Sequence, residues 1–522
     1  MEHPGGVRED VHPCHVDLSV LAVASELPVF LITLHSSQPS FRTPVLGVPF
    51  LSHRREFVMR RSNSTPNQSQ MSRRLLLTTA GAVSLGAALS ACGGGDGGGS
   101  ASSSAKPVSQ ADIDTAMKKP TELTFWTWVP DIDQEVALFE KKYPAIKVKV
   151  VNAGQGVQHY TKLRTAIKAG NGAPDVAQME YQAIPTFTIT DSLLDLNPYG
   201  AAKLKDTFVD WTWGQVSGPK GEIWAIPQDT GPMGMLYRAD IFEKHGIEPP
   251  KTWDDFAAAA RKLHKADPEV YLTNLAGNEA AAWHGLLWQA GAKPYATSGK
   301  GNVSIDVDDT ISRKLAAYWG GLAQEGVIGV EPDFTDAWFS ALNKGKYATW
   351  ITAAWGPVFL AGSAKSTAGK WRAAPLPQWD VSKPSSGNWG GSTSAVIKQT
   401  KNPIAAAVFA QFLNSDPASA KLFNTKQSFF PATKPLLQDP SFTGAAASFY
   451  GGQKVNQAFA DIGQTVSPDF QWPPFLDQAV TDWTETVGTA LTRKKDAVAA
   501  LDAWQSRLTT YAKAQGFTVK SP

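Results

Sequence analysis

The chain has 522 residues, with 49 Lys and Arg against 47 Asp and Glu, for a formal net charge of +2. That length holds about two to four domains; a hydrophobic fraction of 43% excludes a disordered chain, and the near-neutral charge gives no support to a nucleic-acid binder. Two cysteines exclude a disulfide scaffold and a Cys-rich metal module, whereas eighteen tryptophans exceed what an ordinary core uses.

Residues 1–70 show no sustained hydrophobic period and read as a mis-assigned upstream leader or a disordered stretch, not a domain. Met71-Ser72-Arg73-Arg74 then forms a basic head, followed by an apolar, Gly/Ala/Thr-rich run to Ala91. A basic head, an apolar stretch and small residues before a cut site make residues 71–91 a secretory signal peptide. Such a signal works at an N-terminus, so translation is expected to start at Met71. Leu89-Ser90-Ala91-Cys92 resembles a bacterial lipobox, which implies that Cys92 becomes the lipidated first residue. A doubly or triply acylated cysteine anchors durably where one chain does not, here on the outer face of the cytoplasmic membrane. The arginine pair also resembles a twin-arginine signal, without the Phe and Lys that usually follow; the general export route is equally open. Residues 92–118 begin as nearly pure Gly, Ser and Ala and read as a flexible tether.

The body alternates strand and helix patterns. Leu123 to Trp128 alternates as a strand, and Asp131 or Asp133 caps a helix that Pro144 stops. Ile146 to Val150 alternates again, a helix follows over 157–169, and Gly170-Asn171-Gly172 ends it before a short strand at Pro174-Asp175-Val176-Ala177. This order argues an α/β lobe with a largely parallel sheet. Extended segments are expected at 223–227 and 234–237, and Thr252-Trp253-Asp254-Asp255 resembles a capping box before a helix to about His264. Further helices are expected at 309–325, 335–343, 403–414, 416–425, 475–492 and 496–515, with short strands at 347–351 and 394–397. Within helices, Trp253, Trp319, Trp338, Trp483 and Trp504 read as core.

The block Ile226-Pro227-Gln228-Asp229-Thr230-Gly231-Pro232 through Phe242, then Pro249-Pro250-Lys251-Thr252-Trp253, resembles the extracellular solute-binding proteins of family 1. These are sugar-binding receptors of ABC importers, the group that includes maltose-binding protein. Phe125-Trp126-Thr127-Trp128, Ala173-Pro174-Asp175-Val176, Gly345 to Trp350, Ala353-Ala354-Trp355-Gly356-Pro357 and Trp389-Gly390-Gly391-Ser392 agree in order and spacing, over roughly residues 121–515. The resemblance implies a two-lobed periplasmic-binding-protein-like α/β fold with hinge crossings and a cleft between lobes. One lobe is expected from 119–230 and 391–428, the other from 231–390 and 429–518. It further implies a monomer that takes a sugar, meets the transmembrane subunits of an ABC permease, and needs no cofactor.

A sugar presents apolar C–H faces and a rim of hydroxyls. Flat aromatic rings cover the faces, and carboxylates or amides bond the hydroxyls. Candidate platforms are Trp128 at the end of the first strand, Trp283, Trp355, Trp389 and Trp472. Candidate polar contacts are Glu180, Tyr181, Gln182, Gln228, Asp229 and Asn274, with Gly391 in the return crossing. No catalytic constellation stands out: His159, His245, His264 and His284 lack paired metal spacing, and Gly362 to Lys370 misses the phosphate-loop pattern, with Trp371 where Ser or Thr belongs. Two other readings remain open at this stage: an anchored glycosidase, and a receptor for a non-sugar solute such as a polyamine, which needs convergent carboxylates.

Overall fold

The computed structural model describes residues 106–299 and 301–520; the leader, the export signal and Cys92 lie outside the described residues. Its strands are β1 (Thr121–Trp126), β2 (Ile146–Val151), β3 (Val176–Glu180), β4 (Ile226–Pro227), β5 (Met233–Arg238), β6 (Tyr295–Thr297), β7 (Asn302–Ile305), β8 (Thr349–Ala353), β9 (Trp371–Pro375), β10 (Ser392–Val396) and β11 (Thr518–Lys520). The first sheet runs β2-β1-β3-β10-β4. β1 is parallel to β2 and β3, and β10 inserts antiparallel between β3 and β4. A second sheet, β8-β5-β9, is antiparallel, and a small third one runs β11-β7-β6.

Local chemistry sets the elements. The alternation in β1 turns Leu123 and Phe125 inward. The helix Asp133–Lys142 ends at Tyr143, before Pro144. The helix Gly156–Ala169 closes on Gly170 in the left-handed region. The helix Trp253–Ala266 opens with the reciprocal Thr252–Asp255 capping box that the sequence suggested. The expected tether differs: from Gln110 to Ala116 it is a helix, capped by Ser109, and Met117 behind it is buried in the first core. Ile113 and Met117 are apolar enough to dock, which a Gly/Ser tether is not. No helix among the described residues is long and apolar enough to cross a membrane.

Two lobes result, each around its own sheet. The first core gathers Leu123, Phe125, Phe139, Val176, Phe409 and Phe412. The second gathers Trp253, Trp283, Trp319, Trp483 and Trp504, with Trp338, Trp350 and Trp371 in an adjoining cluster. The five helical tryptophans read as core are all buried.

Among the described residues the chain passes between the lobes three times: from β4 to β5, again just before β10, and near Phe430. The passages are tied to one another. Trp389 N–H donates to Gly231 O at 2.8 Å, Gly231 N–H to Asn388 Oδ1 at 2.9 Å, and Thr230 N–H to Phe430 O at 2.9 Å. At Gly231 the approach is backbone on backbone: a Cβ there would lie 2.0 Å from Trp389 O. Gly231→Ala is therefore expected to destabilise the fold by about 2 kcal/mol or more, read from urea unfolding; a change within about 0.5 kcal/mol would show that the crossing yields freely.

Candidate functional site

Ligands of open α/β sheets bind beyond the carboxyl ends of the parallel strands. Here those ends carry Trp128 after β1 and Glu180 at the end of β3. Trp128 is half-buried and fixed twice. Its backbone N–H donates to Gln178 Oε1 at 3.0 Å, and its ring stands edge-on to His159 at 5.1 Å. His159 is fully buried, and burial holds its pKa down to about 4, so it packs as a neutral ring. Glu180 accepts from Tyr160 Oη at 2.9 Å, and Gln182 also bonds it. Tyr181 turns the other way: it is buried, and its hydroxyl donates to Asp229 O at 3.1 Å.

The crossings form the floor. Asp229 Oδ1 accepts from Ser392 N–H at 3.0 Å and from Gln228 Nε2 at 3.2 Å, so one carboxylate spans two passages. Gly391 sits at φ 86°, and a Cβ there would meet Asp229 O at 2.8 Å and the Tyr181 ring at 2.9 Å.

The second lobe adds an aromatic wall. Trp355 follows β8; its indole N–H donates to Trp389 O at 2.8 Å, and the two rings meet edge to face at 4.8 Å. Phe334, exposed and at φ 60°, packs within about 6 Å of the Trp338, Trp350, Trp355 and Trp389 rings. A non-glycine residue held in that region is strained, and such strain gathers at functional sites. Beside it Asp333, 8% exposed, accepts from Asn274 Nδ2 at 2.6 Å. Asn274 thus braces a carboxylate.

Electrostatics joins the two walls. Burial pushes the Asp229, Glu279 and Asp333 carboxyls each up to about 7, and raises Glu180 as well. Glu180 adds to the rise at Asp229 and at Glu279, and Glu279 adds to the rise at Asp333. The Arg164–Asp477 ion pair, 2.8 Å long, also links the helix Gly156–Ala169 of the first lobe with the helix Leu476–Trp483 of the second.

Glu180, Asp229, Trp355, Trp389 and Gly391 come together at the crossings, with Gln182 bonded to Glu180; Asn274 stands beside Asp333, and Trp128 beside Gln178 and His159. Trp283 does not. It is 1% exposed inside the second core, against Trp483, because the helix Ala280–Ala290 carrying it is buried on nearly every side. Gln228 is buried beneath Asp229. Trp472 and Tyr181 instead line a separate inter-lobe cavity of about 750 Å³, with Gln215, Trp224, Tyr295 and Gln471. Two of its polar groups bond within the protein: Trp472 donates its indole N–H to Gln215 Oε1 at 3.0 Å, and Gln215 donates to Phe470 O at 2.7 Å. Glu279, Asp333, Phe334 and Tyr160 were not singled out from sequence. Only the pairing of Pro332-Asp333-Phe334 with a helix-capping Thr335 marked that stretch as a built turn.

Residues 126–420 match the family model for bacterial extracellular solute-binding proteins. The arabinooligosaccharide-binding protein of Bacillus subtilis (strain 168) is 25% identical over 367 residues, 67% of this chain and 82% of its own. Among solved structures, the ABC transporter associated binding protein from B. animalis subsp. lactis Bl-04, in complex with beta-1,6-galactobiose, is 33% identical with a TM-score of 0.65, covering 76% of this chain and 99% of that one. The galacto-N-biose/lacto-N-biose I-binding protein from Bifidobacterium longum, in complex with lacto-N-biose, shares the fold at 24% identity and a TM-score of 0.66, over 76% of this chain and 98% of its own.

Proposed function

Because the chain belongs to the bacterial extracellular solute-binding proteins, which are binding components of ABC transporters and not enzymes, we propose that it captures an oligosaccharide between its lobes and presents it to a permease. One observation supports this reading: beside the crossings that join the lobes stand the rings of Trp355, Trp389 and Phe334 and, from the facing sheet, the carboxylates of Glu180 and Asp229. Indole faces take the C–H faces of a sugar ring, and the acids take its hydroxyls. A ligand held by both lobes favours the closed arrangement only through contacts that the open one lacks. That closed form is what the permease subunits read. Lipidation of Cys92 completes the proposal, supported by the Leu89-Ser90-Ala91-Cys92 sequence and the export signal before it.

A thermal-shift screen of a body beginning at residue 105 against a saccharide panel tests the cargo. A saccharide at about 100 times its Kd stabilises the native state by about 2.7 kcal/mol. The expected result is a raised Tm with at least one oligosaccharide, together with compaction in X-ray scattering. A shift with spermidine and with no saccharide would refute the sugar reading. For the anchor, radiolabelled palmitate is expected on the wild-type chain and absent from Cys92→Ala; equal labelling of both would move the lipid elsewhere.

A further inference from the structure

The inter-lobe cavity of about 750 Å³ lies outside the reading above, and its size is that of a small-molecule site. Each lobe builds one side. The first contributes the turn after β3 and the loop 214–224, which the Ser217–Ile223 bridge closes beside Trp224; the second contributes β6 and residues 468–474. On both sides one short segment leads from the cavity to the crossings. In the first lobe Tyr181, Ile184 and Pro185 line the cavity, while the neighbouring Glu180 stands at the crossings. In the second, Pro474 lines the cavity, and Asp477 just beyond it reaches Arg164, one helical turn from the Tyr160 that bonds Glu180. The cavity and the Glu180 end of the crossing site are thus neighbours along both walls.

The lining is unlike a core. The polar groups of Trp472 and Tyr295 are engaged inside the protein, but Trp224 is half-buried and its indole N–H meets no acceptor among the described residues. Gln471 is exposed and uses its Oε1 on Thr297 N–H at 3.2 Å, which leaves its amide nitrogen. Asp191 is held by Lys398, whereas Lys220 and Lys293, one from each lobe, form no ion pair among the described residues, and neither do Glu222 and Asp469. The two signs balance, so the cavity offers donors and acceptors without asking for a charged ligand.

On the premise that the protein carries a saccharide, we propose that this cavity is a second sugar subsite, and that the cargo is a neutral oligosaccharide longer than a disaccharide, running from the crossings along the turn 180–185 into it. Trp224 covers the C–H face of the distal unit, and the Gln471 amide and the Lys220 and Lys293 ammonium groups donate to its hydroxyls. Trp224 is then the specificity residue that reads chain length. A unit held there touches both lobes and adds to the preference for the closed arrangement. An ionised sugar gains nothing, because it meets both signs.

Titration calorimetry tests this with matched neutral pairs: maltose, cellobiose, xylobiose and arabinobiose, each against its tetrasaccharide homologue. The expected result, in the series that binds, is a tetrasaccharide about tenfold or more tighter than its disaccharide, with that gain reduced below about threefold in Trp224→Ala. Trp224 packs at the edge of the first core, so Ala296→Trp serves as a second variant. It fills the cavity from an exposed position of β6, where a strand accepts an indole, and should abolish the gain as well. A wild-type protein that binds both lengths equally, or a gain that survives both variants, overturns the subsite and leaves the saccharide reading standing. Silence of every series overturns the subsite, and a Tm raised by spermidine in their place overturns the saccharide reading too.

Discussion

Trp355→Ala lowers saccharide affinity by about tenfold or more, at least about 1.4 kcal/mol, in titration calorimetry. Two losses add. The half-buried indole is the hub of the aromatic wall, within 4.8 to 6.1 Å of Trp389, Phe359, Trp350 and Phe334, so its removal strips a flat face from the groove and loosens its neighbours. Its N–H also holds the Trp389 carbonyl, one residue from the glycines of the return crossing, and truncation leaves that acceptor unpaired. Trp355→Phe separates the effects: it keeps a ring and loses the donor, and should recover part of the affinity. Unchanged affinity in the Ala variant would take Trp355 out of the site.

Glu135→Gln stabilises the protein at pH 8 by about 3 kcal/mol and changes little at pH 4. Glu135 lies on the helix Asp133–Lys142, fully buried, and neither carboxyl oxygen reaches a partner with hydrogen-bond geometry. Burial pushes its pKa from 4.5 up to about 7; Asp131 and Asp133 add to the rise, and the Gln427 amide relieves part of it. The sign follows from which state holds the proton. Below about 4.5 the carboxyl is protonated in both the folded and the unfolded chain, and it takes nothing from stability. From there to about 7 the unfolded chain releases a proton that the folded one keeps, so stability falls as pH rises, and it levels off beyond. Gln carries no charge to bury and escapes that loss. Urea unfolding at the two pH values measures it, and an equal increment at both would mean that Glu135 does not titrate in this way. Asp229, Glu279 and Asp333 share the sign, so the empty protein is expected to weaken between about pH 4 and 7.

Much of the scaffold was readable from local chemistry. The alternation read over Leu123–Trp128, which the strand meets two residues earlier as Thr121–Trp126, that of Ile146–Val150, the stop at Pro144, the left-handed Gly170 and the Thr252–Asp255 box each act within a few residues. The helix Ala280–Ala290 was not readable, because AAAWHGLLWQA is apolar around its whole circumference and shows no period. The same absence made Trp283 look like a loop platform, when it and His284 are both inside the core. Trp472, between Gln471 and Pro473, carried the mark of a ligand loop, yet its indole N–H is satisfied by Gln215, 257 residues away. Of the groove, the strand-end and crossing residues were legible because a strand end is a local feature. Asp333 and Phe334 were not, since only the folded chain sets Phe334 against Trp355 and Asp333 against Asn274. Calorimetry on the Trp355 variants is what assigns the aromatic wall a role in binding.

The insertion of β10 between β3 and β4 bears on how the molecule is made. Until residue 396 has left the ribosome, the inner edges of β3 and β4 have no neighbour, and a row of amides and carbonyls stands open. The amino-terminal half of the polypeptide therefore cannot complete its sheet before that point in synthesis. It must wait for a segment more than 160 residues downstream of β4, a separation that slows assembly and prolongs the life of a partly built, sticky intermediate. A nascent chain cut before Ser392 should be a substrate for chaperones and proteases, and not a free-standing half of the receptor.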